Sequence, residues 1–413
     1  MVPKSWEVKK LHDIYKIIDS LHQTPKFSDS GLPMVRVTDV KGGLLDLSKT
    51  IKVSNEVFAE YTKKYQPKQH DIVFSRVGSY GVSAYAATNE KFCLGQNTVI
   101  AESNDSADPK YIFNVLKGSY IERQIERTVD GSSHKTVSLK IIRNLDIPLP
   151  PLPEQHKIAK ILSTWDEAIS TTERLIENST QQKKALMQQL LTGKKRLLDE
   201  SGKRFDGEWK EVKLGDLKLD ISDGNYSAKY PKQADFLDTG IPFLRANNLD
   251  KGTISDNDMR FISPKQHSEI TKGHLKKGDI LLSTRGELGN VALVPDRHIG
   301  SNINAQLVRI NAKDKLSGKF LFQLFDYLRV TGKFESLSTG TALKQLPIGK
   351  LKILEFDLPL LIEEQQKIAT VLTNADKEIE LLEQQLADLQ QEKKALMQVL
   401  LTGKKRVVIN DRT

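Results

Sequence analysis

The stretch "KKALMQQLLTGKKR" at residues 183–196 returns as "KKALMQVLLTGKKR" at 393–406, with thirteen of fourteen positions identical and an offset of 210. A string of such mixed composition does not recur by chance, so it marks an internal duplication. Working upstream, "EQHKIAKIL" (154–162) lies over "EQQKIATVL" (364–372), and "DIPLP" (146–150) over "EFDLP" (355–359). "DIVFSRVGSYG" (71–81) lies over "DILLSTRGELG" (279–289), and "GLPMVRVTDV" (31–40) over "GIPFLRANNL" (240–249). "WEVKKLHDI" (6–14) pairs with "WKEVKLGDL" (209–217), so the 413 residues are two units of similar length. The last third of each unit is nearly identical, whereas 41–70 and 250–278 share little. One part of each unit does a common job, and another part has been free to differ.

The common part predicts a long helix in each unit. Apolar residues alternate steps of four and three at Ile368, Leu372, Ala375, Ile379, Leu382, Leu386, Leu389, Leu396 and Leu400, with Lys393 breaking the seam. The first copy keeps the register at Ile158, Leu162, Trp165, Ile169, Ile176, Leu186 and Leu190, with Thr172, Ser179 and Lys183 as polar members. Such heptads predict coiled-coil packing. Proline-rich runs precede each helix, and Gly193 and Gly403 stand as stop signals after it. If the two seams pack together, chain order makes them antiparallel, with the globular units at opposite ends and related by an approximate two-fold.

The expected fold is therefore α+β, with two mixed α/β domains joined through two long helices. The segments are 1–152, the helix 153–196, a linker 197–207, 208–362, the helix 363–406 and a tail 407–413. Strands are predicted in "MVRVTDV", "DIVFSRV", "NTVIAE", "PFLRANNL", "DILLST" and "NVALVP", and helical stretches at 109–127 and 313–333.

The net charge of +9 is concentrated, because each copy of the repeated string holds five Lys or Arg and no acid. Two readings stand: cations complementing a helix C-terminus, or contact with a polyanion such as nucleic acid. The single Cys93 excludes an internal disulfide and a Cys-clustered metal site. No apolar run is long enough to span a bilayer and the N-terminus has no hydrophobic signal core, so the expected location is the cytoplasm, without membrane contact. Phosphate-loop, H-E-x-x-H, EF-hand and G-x-G-x-x-G patterns are missing. "Glu7-Val8-Lys9" and "Glu211-Val212-Lys213" are like the last half of a nuclease metal site, but the Pro-Asp pair at 295–296 lies downstream of both. The expectation is a non-catalytic chain with no metal.

Together, a "W-x-x-x-x-L" start, "G-x-P-x-x-R", "D-I-x-x-S" running into a glycine loop, and "P-L-P…E-Q-x-x-I-A" opening a helix closed by "L-L-T-G-K-K-R" resemble the specificity subunit of Type I restriction–modification enzymes. The resemblance covers nearly all of both units. It implies two target-recognition domains, each reading one half of a split DNA site. It implies helices that set the spacer and dock two modification (methyltransferase) subunits, with restriction subunits joining through them. It places S-adenosylmethionine, ATP and Mg chemistry in those partners and assigns no cofactor to this chain. Because the domains differ in sequence, the site should be bipartite and asymmetric.

The favoured DNA contacts are the glycine loops: Ser75, Arg76, Gly78, Ser79 and Tyr80 in unit one, and Arg285 and Gly286 in unit two. Glycines allow close backbone approach, and an arginine suits phosphate or a guanine edge. A second pair of candidates is Ser132 with Lys135 and Thr341 with Lys344. Lys63, Lys64 and Lys68, and Asn247 and Asn248, follow. Arg36 and Arg245 suit structural ion pairs equally well. The competing function is a coiled-coil adaptor with no DNA role.

Overall fold

The computed structural model describes residues 3–79, 81–128, 136–224, 229–313, 316–340 and 344–409. It divides into two compact units, Met1–Glu173 with Gln384–Thr413, and Arg174–Glu383. This division differs from the expected segmentation because both boundaries fall inside the long helices.

In the first unit, strands of the main sheet follow the order Lys16–Asp19, Thr98–Glu102, Ile72–Ser75 and Ser83–Tyr85 among the described residues, all antiparallel. Beside it, Leu32–Val35 pairs antiparallel with Ile51–Val53 and parallel with Cys93–Leu94. Glu7–Lys10 pairs with Asp146–Leu149 and ties the start of the globular part to its end. The second unit repeats this plan with Asp220–Asp223, Leu307–Asn311, Asp279–Ser283 and Val291–Leu293. Its smaller sheet sets Ile241–Leu244 between Arg260–Ile262 and Asn302–Ile303, and Trp209–Lys213 pairs with Glu355–Pro359. An added hairpin, Leu249–Asp250 with Thr253–Ile254, falls in the stretch where the copies share little.

The central strands are buried on both faces, and their alternation divides them between two cores. Ile72 and Phe74 join Tyr111 and Ile112 of the helix Pro109–Leu116, whereas Val73 joins Val35 and Leu94 of the small sheet. Ile280 and Leu282 join Phe320 and Leu324 of Gly318–Val330, whereas Leu281 joins Leu244 and Ile303. Each strand is preceded or opened by a fully buried aspartate. Asp71 accepts from the Tyr65 hydroxyl at 2.6 Å and the N–H groups of Lys68 and Ser103 at 2.9 Å. Asp279 accepts from the Lys276 N–H and Asn311 Nδ2, each at 2.7 Å. Burial pushes both carboxyls above their ordinary range, against the pull of these hydrogen bonds.

Some expected elements are shorter. The stretch 109–127 is two helices, Pro109–Leu116 and Ser119–Thr128, separated where the Gly118 N–H turns back to Val115 O. The stretch 313–333 holds Gly318–Val330, and a short helix Lys333–Ser336 follows Gly332. The window at 34–40 is strand only to Val35, because Asp39 accepts from the Arg36 N–H at 2.9 Å and closes a turn. Asn248 does the same for Arg245 at 3.0 Å.

The long helices run Leu152–Leu190 and Ile362–Leu400, 39 residues each, or about 58 Å at 1.5 Å per residue. Every seam position named from the heptad is buried or half-buried, while off-seam Leu175 and Leu381 are exposed. Within each unit the start of one helix packs against the end of the other. In the first unit Ile158, Ala159 and Leu162 share a core with Leu400 and Leu401. In the second, Ile368, Ala369 and Leu372 share one with Met187, Leu190 and Leu191. The pairing is antiparallel: Glu154 meets Arg406 and Asp166 meets Lys393, as Glu364 meets Arg196 and Asp376 meets Lys183.

The repeated basic string thus has a structural use. Glu154 and Glu364 are wholly buried, and each receives both Arg Nε–H and Nη2–H from Arg406 or Arg196 at 2.5–2.7 Å. The Trp6 indole N–H also donates to Glu154 at 3.1 Å. Gly193 lets Trp209 approach closely, since a Cβ there would lie 3.1–3.4 Å from the indole, and Gly403 makes room for the Pro3 ring, which a Cβ would overlap. Lys393, the apparent break in the seam, is buried and bonded to Asp166. Of the five cations in each string, the first Lys and the final Arg therefore face carboxylates, and the other three are exposed.

Candidate nucleic-acid interface

The two glycine loops have the same build. Ser75 N–H donates to Val82 O at 2.9 Å and Gly81 N–H returns to Ser75 O at 2.8 Å; Ser283 to Asn290 O and Gly289 to Ser283 O repeat this at 2.8 and 2.9 Å. Gly81 and Gly289 have φ of +77° and +82°, and a Cβ on either would lie 2.6 Å from Ile125 or Phe334. Only glycine meets both demands. At Gly78 and Gly286 the space is open and the loop faces solvent.

In each unit the residues that follow the second candidate segment meet the glycine loop. Val137 N–H donates to Arg76 O at 2.8 Å, and Leu346 N–H to Thr284 O at 2.9 Å. Short bridges pair Val77 with Thr136 and Arg285 with Gln345. Ser79 and Lys344 are exposed, and Arg285 is half-buried. Tyr80, Ser132, Lys135 and Thr341 lie outside the described residues. Lys63 and Lys64 are exposed and border a concavity of about 210 Å³ with Asp19, Ser20 and Tyr61, and Asp19 pairs with Arg76. Asp19 therefore links that concavity to Arg76 of the first loop. Lys68 is exposed, 3.8 Å from Glu102.

Three candidates are corrected. Ser75 is wholly buried, and its hydroxyl donates to Val77 O at 2.8 Å, so it shapes the loop from within. Arg76 is half-buried and donates through Nη1 to the Asp19 carboxylate at 3.2 and 3.3 Å and through Nε to Val137 O, so two of its three guanidinium nitrogens are engaged within the fold. Asn248 is wholly buried; besides capping Arg245, its Nδ2 donates to Ser255 O and Asn257 O, while neighbouring Asn247 is exposed. Arg36 and Arg245 pair with Asp39 at 3.5 Å and Asp258 at 2.8 Å, the structural reading of those positions.

Sequence reading missed a third segment at each interface. Arg76 N–H donates to Asn97 O at 3.0 Å and Thr284 N–H to Gln306 O at 2.8 Å. An amide just before a strand was its only signal.

For catalysis the site offers little. Among the described residues no group of three or more His, Cys, Asp or Glu could hold a metal ion. Lys9 pairs with Glu7 and Lys213 with Glu355. Cys93 is buried, which pushes its thiol up to about 12 and leaves no thiolate at neutral pH. Among the described residues no helix is long and apolar enough to cross a membrane.

The family described as "Type I restriction modification DNA specificity domain" matches twice, over residues 3–179 and 206–391. The chain belongs to that family. The MjaVIII type I restriction enzyme specificity subunit of Methanocaldococcus jannaschii is 29% identical over 98% of this chain and 94% of its own. Another chain of that organism, MjaX, is 31% identical over 98% of this chain and 95% of its own. The crystal structure of a type I S subunit from M. genitalium superposes with a TM-score of 0.60, covering 99% of this chain and 97% of that one at 17% identity. A chain from a type I restriction–modification assembly gives 0.59 over 98% of this chain and all of its own. Two specificity domains, each closed by a long helix, are thus the plan of this type I specificity subunit.

Proposed function

We propose that each domain of this type I specificity subunit reads one half of a bipartite, asymmetric DNA site through the face carrying its glycine loop. The observation that carries this is the repetition of one loop architecture on two domains whose surrounding residues differ. Exposed Lys63 and Lys64 in the first unit and exposed Lys344 in the second supply phosphate contacts, which position the protein without selecting bases. The long helices set the spacer and dock two methyltransferase subunits, through which restriction subunits join. S-adenosylmethionine, ATP and Mg act in those partners, in the cytoplasm.

The test is binding of the full chain, with its methyltransferase subunits, to duplexes carrying the split motif read from genomic methylation. Affinity should fall with salt on a log–log slope of about 0.9 per phosphate contacted. Lys63→Ala with Lys64→Ala should lower that slope by about 2 while weakening all sequences alike. Exchanging residues 1–150 for those of a relative should change one half-site alone. An altered pair of half-sites overturns the assignment of one half-site to each domain, and binding indifferent to salt and sequence favours the adaptor reading.

A further inference from the structure

Each unit holds an amide side chain beside its glycine loop that the assignments above leave unused. We propose that Asn97 and Gln306 are base-reading residues, one for each half-site; the proposal rests on the DNA-specificity function and says where the reading is done. Both are half-buried, and both stand immediately before a buried strand, Thr98–Glu102 or Leu307–Asn311. Both accept, through the backbone carbonyl, the N–H of the first loop residue, at 3.0 Å from Arg76 and 2.8 Å from Thr284. A rigid strand on one side and the loop on the other hold each side chain's root in place.

Backbone conformation alone would explain Asn97, whose φ is +63°, because asparagine tolerates the left-handed region. Gln306 removes that explanation. Its φ is not positive, yet an amide stands at the equivalent place. The shared hydrogen bond does not require one either, since it uses the carbonyl of the main chain. What the two positions have in common is the chemistry of the side chain.

The two amides differ in what they leave free. The Asn97 side chain has no hydrogen-bond partner among the described residues, so its oxygen and its NH2 group are both uncommitted. Gln306 is held on one side: Asn304 Nδ2 donates to its Oε1 at 2.9 Å, and Asn304 Oδ1 accepts its N–H at 3.0 Å. Asn304 is itself only 5% exposed, which makes a fixed bracket. An amide free to donate and accept matches the N7 and N6 edge of adenine, whereas a donor matches guanine O6 and N7 or thymine O4. Asn97 is assigned to adenine, and Gln306 to a base presenting acceptors.

The test uses the full chain with its methyltransferase subunits and duplexes carrying every single-base change in the methylation-derived site. Asn97→Gly keeps the left-handed backbone and removes the amide. It should lower affinity for the cognate site roughly ten- to a hundred-fold by relaxing one base pair of one half-site, leaving unrelated DNA and the salt slope unaffected. Asn97→Asp leaves only acceptors and should move that base pair's preference from adenine toward cytosine. Gln306→Ala should relax a base pair in the other half-site. Equal weakening on all duplexes, or unchanged base preferences, overturns the assignment. A wild-type complex with no sequence preference overturns the DNA-reading function itself, so the two failures are told apart.

Discussion

Glu154 and Glu364 are carboxylates with no exposed surface, and Arg406 and Arg196 are what make their burial tolerable. A buried charge that loses its partner costs far more than the pair contributes. Arg196→Ala should therefore destabilise its unit by on the order of 3 kcal/mol, and Arg406→Ala should destabilise the other. Arg406 is the more exposed of the two, at 44% against 20%, so its loss should be the milder. Urea unfolding followed by tryptophan fluorescence checks this, since Trp6 and Trp209 lie beside the two arginines at 5.9 and 5.8 Å. Residue type at a given place in the chain was legible here, but partners were not. Arg76 in a glycine loop reads as a phosphate contact until Asp19, 57 positions earlier, takes it up. Asn248 reads as a surface amide until its three backbone partners are seen.

At the scale of elements, the heptad predicted which helix residues would be covered, and Lys393 showed as an interruption. Its reason was invisible, because Asp166 is a polar off-seam residue of the other helix. The equivalent node in the second unit is richer: Lys183 meets both Asp376 and Asp326, and Gln323 Nε2 donates to Asp376 at 2.7 Å. The first unit has Lys117 where the second has Asp326, and Lys117 is repelled by Lys393 and attracted by Asp166. One lysine is thus held by two acids and its counterpart by one acid opposed by a cation. Lys117→Asp should slow amide exchange in residues 393–400, and Asp326→Lys should quicken it in 183–190, each by about five-fold for a change near 1 kcal/mol. Exchange rates indifferent to both changes would refute the electrostatic account.

For the whole chain, the duplication and the two domain types were legible because repeated strings and alternating hydrophobicity are local facts. The compact units were not, because periodicity shows which face is buried without naming what buries it. The first unit borrows Leu400, Leu401 and Arg406 from the far end of the chain. Deleting residues 384–413 removes two buried leucines, about 2 kcal/mol each, and leaves Glu154 without its arginine. That is a large part of a domain's usual 5–15 kcal/mol. Limited proteolysis of the deleted chain should degrade residues 1–173 and spare 174–383; equal resistance in both would contradict the assignment of those contacts.

The same borrowing sets an order of events at the ribosome. Arg174–Glu383 is continuous in the chain and can close as soon as it emerges, whereas Met1–Glu173 must wait for Gln384 and beyond. At roughly 5–20 residues per second, the intervening 210 residues leave the earlier-made half unfinished for about 10–40 seconds. During that interval its docking groove for the last helix is bare, and Glu154 is without its arginine. The half translated second is therefore the half that matures first, and nascent-chain chaperones would find their substrate in the portion that left the tunnel earliest.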